Sequence, residues 1–146
     1  MSRSKKDSFN AVILWALAAA DESSPLPASL SYDDIPDDLR SLLAEVANRE
    51  GEQVELWYES IKFLQREGFI TARSPFLTSR EFDFVYLTKE TMSVLGTVPQ
   101  ALSGKTIGGQ LKDVAKDAGK VGASAAVAET VGVIIGTAAR TFSGGS

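Results

Sequence analysis

Apolar positions recur at helical spacing in several stretches of this chain and alternate in others. Phe9, Val12, Ile13, Ala16, Leu17 and Ala20 return every three or four residues, which predicts a first helix capped by Ser8 and running to about Ala20. Asp21-Glu22-Ser23-Ser24-Pro25 ends it, and Pro27 to Tyr32 reads as a short extended piece. Pro36 stands near the start of a second helix, where its missing N–H costs little. Asp37 and Asp38 suit its positive end, and Leu39, Leu42, Leu43 and Val46 form its stripe. A turn at Asn48–Gly51 leads to a third helix from about Glu52 to Glu67, with Val54, Trp57, Ile61 and Leu64 inward. Gly68 follows where a helix end favours a left-handed residue. Phe69–Arg73 and Glu81–Leu87 read as two strands of a hairpin; alternation puts Phe82, Phe84 and Tyr86 on one face and Asp83, Val85 and Leu87 on the other. Thr88 caps a short last helix that Gly96 closes.

The junction Leu64-Gln-Arg-Glu-Gly-Phe-Ile70 resembles the one that joins recognition helix to wing in winged-helix domains. Leu87-Thr-Lys-Glu-Thr91 resembles the segment that ends the wing in those families, with Thr91 where glycine is usual. The resemblance covers residues 8–96. It implies a mainly α fold with a small β-hairpin (α+β), as a winged-helix domain followed by a Gly/Ala-rich C-terminal helix. The implied organisation is a flexible N-terminus (1–7), the winged-helix-like domain (8–96), a linker (97–109), the Gly/Ala-rich helix (110–140) and a flexible tail (141–146). Motifs of this kind fix architecture and leave function open.

Composition narrows the chemistry. Among 146 residues there is neither cysteine nor histidine, which removes disulfides, thiolate or imidazole metal ligands and the His-based nucleophile pairs. A cysteine-free chain suits a reducing cytoplasm. The basic start before the apolar run Ala11–Ala20 resembles a signal peptide, but Asn10 and Trp15 interrupt the run and Asp21-Glu22 follow it, so an amphipathic first helix is the better reading. Ser103-Gly-Lys-Thr106 ends like a phosphate-binding loop, yet Pro99 and Gln100 occupy the place of its earlier glycine and no strand precedes it. Asp33, Asp34, Asp37 and Asp38 lack the spacing of a calcium loop and read as a solvated helix start. The expectation is a non-enzyme without catalytic, metal or cofactor residues.

Charge decides between partners. Residues 1–96 hold ten Lys/Arg and sixteen Asp/Glu, a net of −6, and residues 97–146 hold five and three, a net of +2. A recognition helix that enters the major groove needs cations. The third helix carries Glu52, Glu55, Glu59 and Glu67 against Lys62 and Arg66. The wing tip, Pro75-Phe76-Leu77, is apolar and suits a protein contact unless it folds back onto the core. The residues expected to touch a protein partner or nucleic acid are Tyr58, Lys62, Arg66, Arg73, Phe76, Leu77 and Arg80. A DNA-binding patch would have to gather Arg3, Lys5, Lys6, Lys62, Arg66, Arg73 and Arg80 on one face.

Beyond Gly96 the aromatics give way to glycine and alanine. Gln110 to Arg140 reads as one long helix or two shorter ones. Val121–Ala139 carries a single charge, Glu129, and is long enough to raise a membrane question. Ser124, Ala128, Gly132 and Gly136 repeat every four residues, and Ala115, Gly119 and Ala123 form a second such row. In apolar helices this spacing allows close backbone approach. The expected function is therefore a protein-interaction module that packs or self-associates, as a homo-oligomer, through this small-residue helix. A winged-helix DNA-binding regulator is the first alternative. A small membrane-associating protein using residues 121–139 is the second.

Overall fold

The computed structural model describes residues 4–73, 80–99 and 104–144. The chain is mainly α with one small antiparallel sheet. Its elements are α1 (Lys5–Ser23), β1 (Ala28–Ser31), a 3₁₀ turn (Tyr32–Asp34), α2 (Asp37–Val46), α3 (Glu50–Arg66), β2 (Ile70–Arg73), β3 (Glu81–Leu87), α4 (Lys89–Leu95), α5 (Ile107–Ala115) and α6 (Ser124–Gly144). The strand order is β1-β3-β2.

Helix α1 begins one turn earlier than Ser8. Ser4 and Asp7 form a reciprocal capping box: the Asp7 N–H donates to Ser4 Oγ at 3.2 Å and the Ser4 N–H to Asp7 Oδ2 at 2.9 Å. Ser8 lies inside the helix instead, its hydroxyl donating to the Lys5 carbonyl at 2.7 Å. Nor is α1 amphipathic. Ala11, Val12, Ile13, Leu14, Ala16, Leu17 and Ala20 are all buried, which covers nearly every side of the helix. Helices α2, α3, α5 and α6 and the sheet all pack against it, so the first helix is the centre of the molecule. A helix that is apolar all round belongs inside a fold.

Trp57 of α3 anchors the layer below α1. It is fully buried, with ring centroids of Tyr32, Phe82 and Trp15 at 5.8, 5.5 and 6.5 Å. A second aromatic chain, Phe9–Phe63–Phe69–Phe142, links α1, α3, the start of the hairpin and the end of α6. Gly68 takes the left-handed conformation at the end of α3 (φ +83°). The next turn is fastened from α4: the Thr88 hydroxyl donates to the Gly68 carbonyl at 2.8 Å and the buried Thr91 hydroxyl to the Phe69 carbonyl at 2.7 Å. Thr91 thus has a hydrogen-bonding duty that glycine could not perform.

Strand β3 departs from simple alternation. Ala28 pairs with Val85 but Leu30 with Phe82, and Thr71 pairs with Tyr86 but Arg73 with Asp83. On both sides one residue, Ser29 or Ala72, faces two of β3, which is a β-bulge centred on Phe84, and Phe84 adopts φ +52°. The extra residue reverses the faces. Phe82 is buried with Val85 and Leu87, while Phe84 and Tyr86 point outward. The expected grouping of Phe82 with Phe84 and Tyr86 is corrected by that bulge.

The C-terminal segment is two helices, and α5 starts inside the stretch expected to be a linker. Thr106 caps it, accepting from the Gly109 N–H at 2.9 Å. The chain then turns through 116–123, with Gly122 left-handed (φ +90°). Gly119 abuts α2: a Cβ there would stand 2.4 Å from the Asp38 carbonyl carbon and the Leu39 nitrogen. Ala115, Gly119 and Ala123 therefore do not form one helical row: Ala115 ends α5, and Gly119 and Ala123 lie on the turn that follows, where Gly119 packs closely on α2.

Candidate interaction surfaces

The first candidate surface is α3 with the hairpin. Phe76 and Leu77 lie outside the described residues, as does Arg3. Of the others, Tyr58 is half-buried, its ring 5.1 Å from that of Phe82, so it belongs in part to the core. Arg80 is committed to the fold. Its Nη1 lies 2.9 Å from Glu50 Oε1 and 3.9 Å from Asp33 Oδ1, its guanidinium sits over the Tyr32 ring, and its carbonyl accepts from the Tyr32 N–H at 3.0 Å. Arg40 lies over the same ring. This cluster ties the base of the hairpin to the first turns of α2 and α3. Tyr32 titrates above the ordinary tyrosine range because burial penalises its phenolate.

The remaining cations are spread over α1, α3 and the hairpin, with Lys62 and Arg66 one turn apart on α3. Lys5 pairs with Glu52 near the start of α3 at 3.6 Å. Arg66 stands at the far end of α3, 3.8 Å from Glu67 and over the Phe63 ring. Those two ends are separated by about 24 Å, at 1.5 Å per residue. Arg73 lies over the exposed Phe84 ring on the outer sheet face, and Lys62 is half-buried on α3. Glu50, Glu52, Glu55 and Glu59 stay exposed along the same helix.

The second candidate surface is α6. Its inner side carries Val127, Thr130, Val131, Ile134, Thr137 and Ala138, all buried against the rest of the fold. Thr130 accepts from Gln110 Nε2 of α5 at 3.3 Å and donates to the Ala126 carbonyl at 2.9 Å, so the α5–α6 contact also satisfies a buried hydroxyl. Ser124, Ala128, Gly132 and Gly136 lie off that side: Ala128 and Gly132 are exposed, Ser124 and Gly136 half-buried. A Cβ added at Gly132 or Gly136 would meet nothing within 4 Å. Exposed Ile135 adjoins them. Ser124–Phe142 is also, among the described residues, one helix long and apolar enough to cross a membrane by length and composition, with a third of it buried in the fold.

Two features had no counterpart in the sequence reading. Leu26, Tyr86 and Met92 line a small cavity of about 80 Å³, to which Tyr86 contributes because the bulge turns β3 over. A larger cavity lies between α1 and α5 around Trp15. The omission of Trp15 from the apolar stripe of α1 was the available signal for it. Comparison with protein-family models, with characterised proteins and with solved structures finds no match to this chain.

Proposed function

We propose that this chain is a non-catalytic interaction module of winged-helix type that pairs with a second copy of itself through the outer face of α6. The observation that carries this reading is the open space over Gly132 and Gly136 on a helix whose other side is already docked. Glycine in a helix interior costs about 1 kcal/mol relative to alanine, and among the described residues nothing occupies the space that a side chain would fill at these two positions. A second backbone laid against them would. The order α1, β1, α2, α3, β2, β3 supports the winged-helix part of the reading. A cytoplasmic location is proposed with it.

Direct binding to duplex DNA is the weaker alternative, because α3 presents glutamates and Arg80 is held by Glu50 and Asp33. Association with a membrane through α6 is favoured by the length and apolarity of that helix. Exposed Glu129 opposes a fully spanning form, since a carboxylate at the bilayer centre costs about 2.5–3.5 kcal/mol on insertion scales.

Sedimentation equilibrium on the full chain tests the proposal. The wild type is expected to show the mass of two chains, and Gly132→Leu with Gly136→Leu that of one, with unchanged circular dichroism. A wild-type chain that stays single at every accessible concentration overturns self-pairing. Vesicle flotation of the same two proteins then decides whether α6 meets a bilayer instead.

A further inference from the structure

Trp15, Ala18, Ala19 and Glu22 share one face of α1, being spaced three and four residues apart. Lys112 and Ala115 of α5 and Lys116, the helical-conformation residue that caps its end, lie on the facing side. These two faces enclose an open cavity of about 460 Å³. Sites for small molecules fall at roughly 300–1,000 Å³ and are mostly apolar with a few polar groups. The space exists because three of the facing residues are alanines, too short to close the gap between packed helices. Its floor includes the half-buried indole of Trp15, which rests near the ring of Trp57.

The charged groups at the rim are few and their states differ. Lys112 Nζ lies 3.6 Å from Asp21 Oδ2. Lys116 also borders a small neighbouring space beside Trp15, Pro36, Asp38 and Gly119. It forms no ion pair among the described residues, and Glu22 forms none either. The two ammonium groups are one helical turn apart and flank Ala115, so both reach the same volume. An apolar floor with two cations on one wall suits a molecule with an apolar body and an anionic head.

We propose that the cavity between α1 and α5 binds a small amphipathic carboxylate, its apolar body on Trp15, Ala18, Ala19 and Ala115 and its head group at Lys112 and Lys116. Glu22 opposes the head group from the facing helix, so its charge weakens the same binding. The assignment is independent of self-pairing through α6, whose outer face contributes no residue to the cavity.

Isothermal titration calorimetry of the full chain, with octanoate, octanol and octylammonium as probes, tests the proposal. Octanoate is expected to bind saturably below its micellar range, at one per chain, and to change tryptophan fluorescence. Octanol and octylammonium are expected to bind more weakly. Lys116→Ala should weaken octanoate about tenfold, the loss of one charge-assisted contact. Glu22→Gln should tighten it. Ala19→Phe, which fills the cavity, should abolish it. Absence of saturable heat with octanoate, equal affinity for octylammonium, or weakening by Glu22→Gln would each overturn the assignment. If Ala19→Phe does not fold, Lys116→Ala and Glu22→Gln still decide it, because both change exposed side chains.

Discussion

Two rows of small residues share one spacing in this chain and meet opposite fates. Ala115, Gly119 and Ala123 run from the end of α5 into the turn before α6, where Gly119 lets the backbone press on the start of α2. Ser124, Ala128, Gly132 and Gly136 fall on α6 and turn away from the core, with nothing above the two glycines. The spacing marks where backbones can approach closely. Which backbone approaches is set by the rest of the fold. The first row is used up inside the molecule, and the second is left for something outside it.

The sharpest way to break that contrast is the same substitution at both places. Gly119→Ala puts a methyl group into the Asp38–Leu39 backbone and should cost about 3 kcal/mol, the upper end of overpacking penalties, because main chain cannot step aside. Gly132→Ala should instead raise the stability of the single chain by about 1 kcal/mol through helix propensity. Urea unfolding of both variants checks the signs, and two losses of equal size would erase the distinction. The cations offer a smaller version of the same contrast. Arg80→Ala removes the bridge from the hairpin to Glu50 and Asp33, and should cost about 0.5–1 kcal/mol, given partial exposure. Arg73→Ala, on the outer sheet face, should change stability by less, and equal effects in thermal melts would count against the clamp. The smallest effect concerns Tyr32 and pH. Burial raises its folded-state pKa, so its contribution is fully present below the unfolded value near 10 and is lost as pH rises through the folded value. Unfolding midpoints should therefore fall in that alkaline range, and Tyr32→Phe should flatten the fall.

The sequence made the local elements legible and the global arrangement much less so. Helical spacing placed α1, α2 and α3, and turn residues such as Gly68 placed their ends, because these signals act within a few residues. The faces of β3 were misread because the bulge is centred on Phe84, a non-glycine left-handed residue that alternation cannot announce. The run Ala11–Ala20 held more than an amphipathic stripe needs, since Ala11 and Leu14 are buried as well. Helix α1 also packs on α5 and α6, a hundred residues away, and periodicity in one helix does not name the helix that covers it. Whether residues 110–140 form one helix or two stayed open for a related reason: a Gly/Ala-rich stretch carries helical spacing whether or not the chain turns. Of the candidate contacts, Lys62, Arg66 and Arg73 remain on the surface, while Arg80 and part of Tyr58 serve the fold.

The central position of α1 also governs the order of events as the chain is made. Its packing is finished only when α5 and α6 arrive, so α1 waits for helices made about a hundred residues later. Until then its leucines and alanines face water or a chaperone. Shortened chains that stop before Thr106 should therefore clump instead of reporting cleanly on association. The C-terminal helices are best regarded as the closing half of the core, and their outer face can be altered freely only while the inner one stays in place.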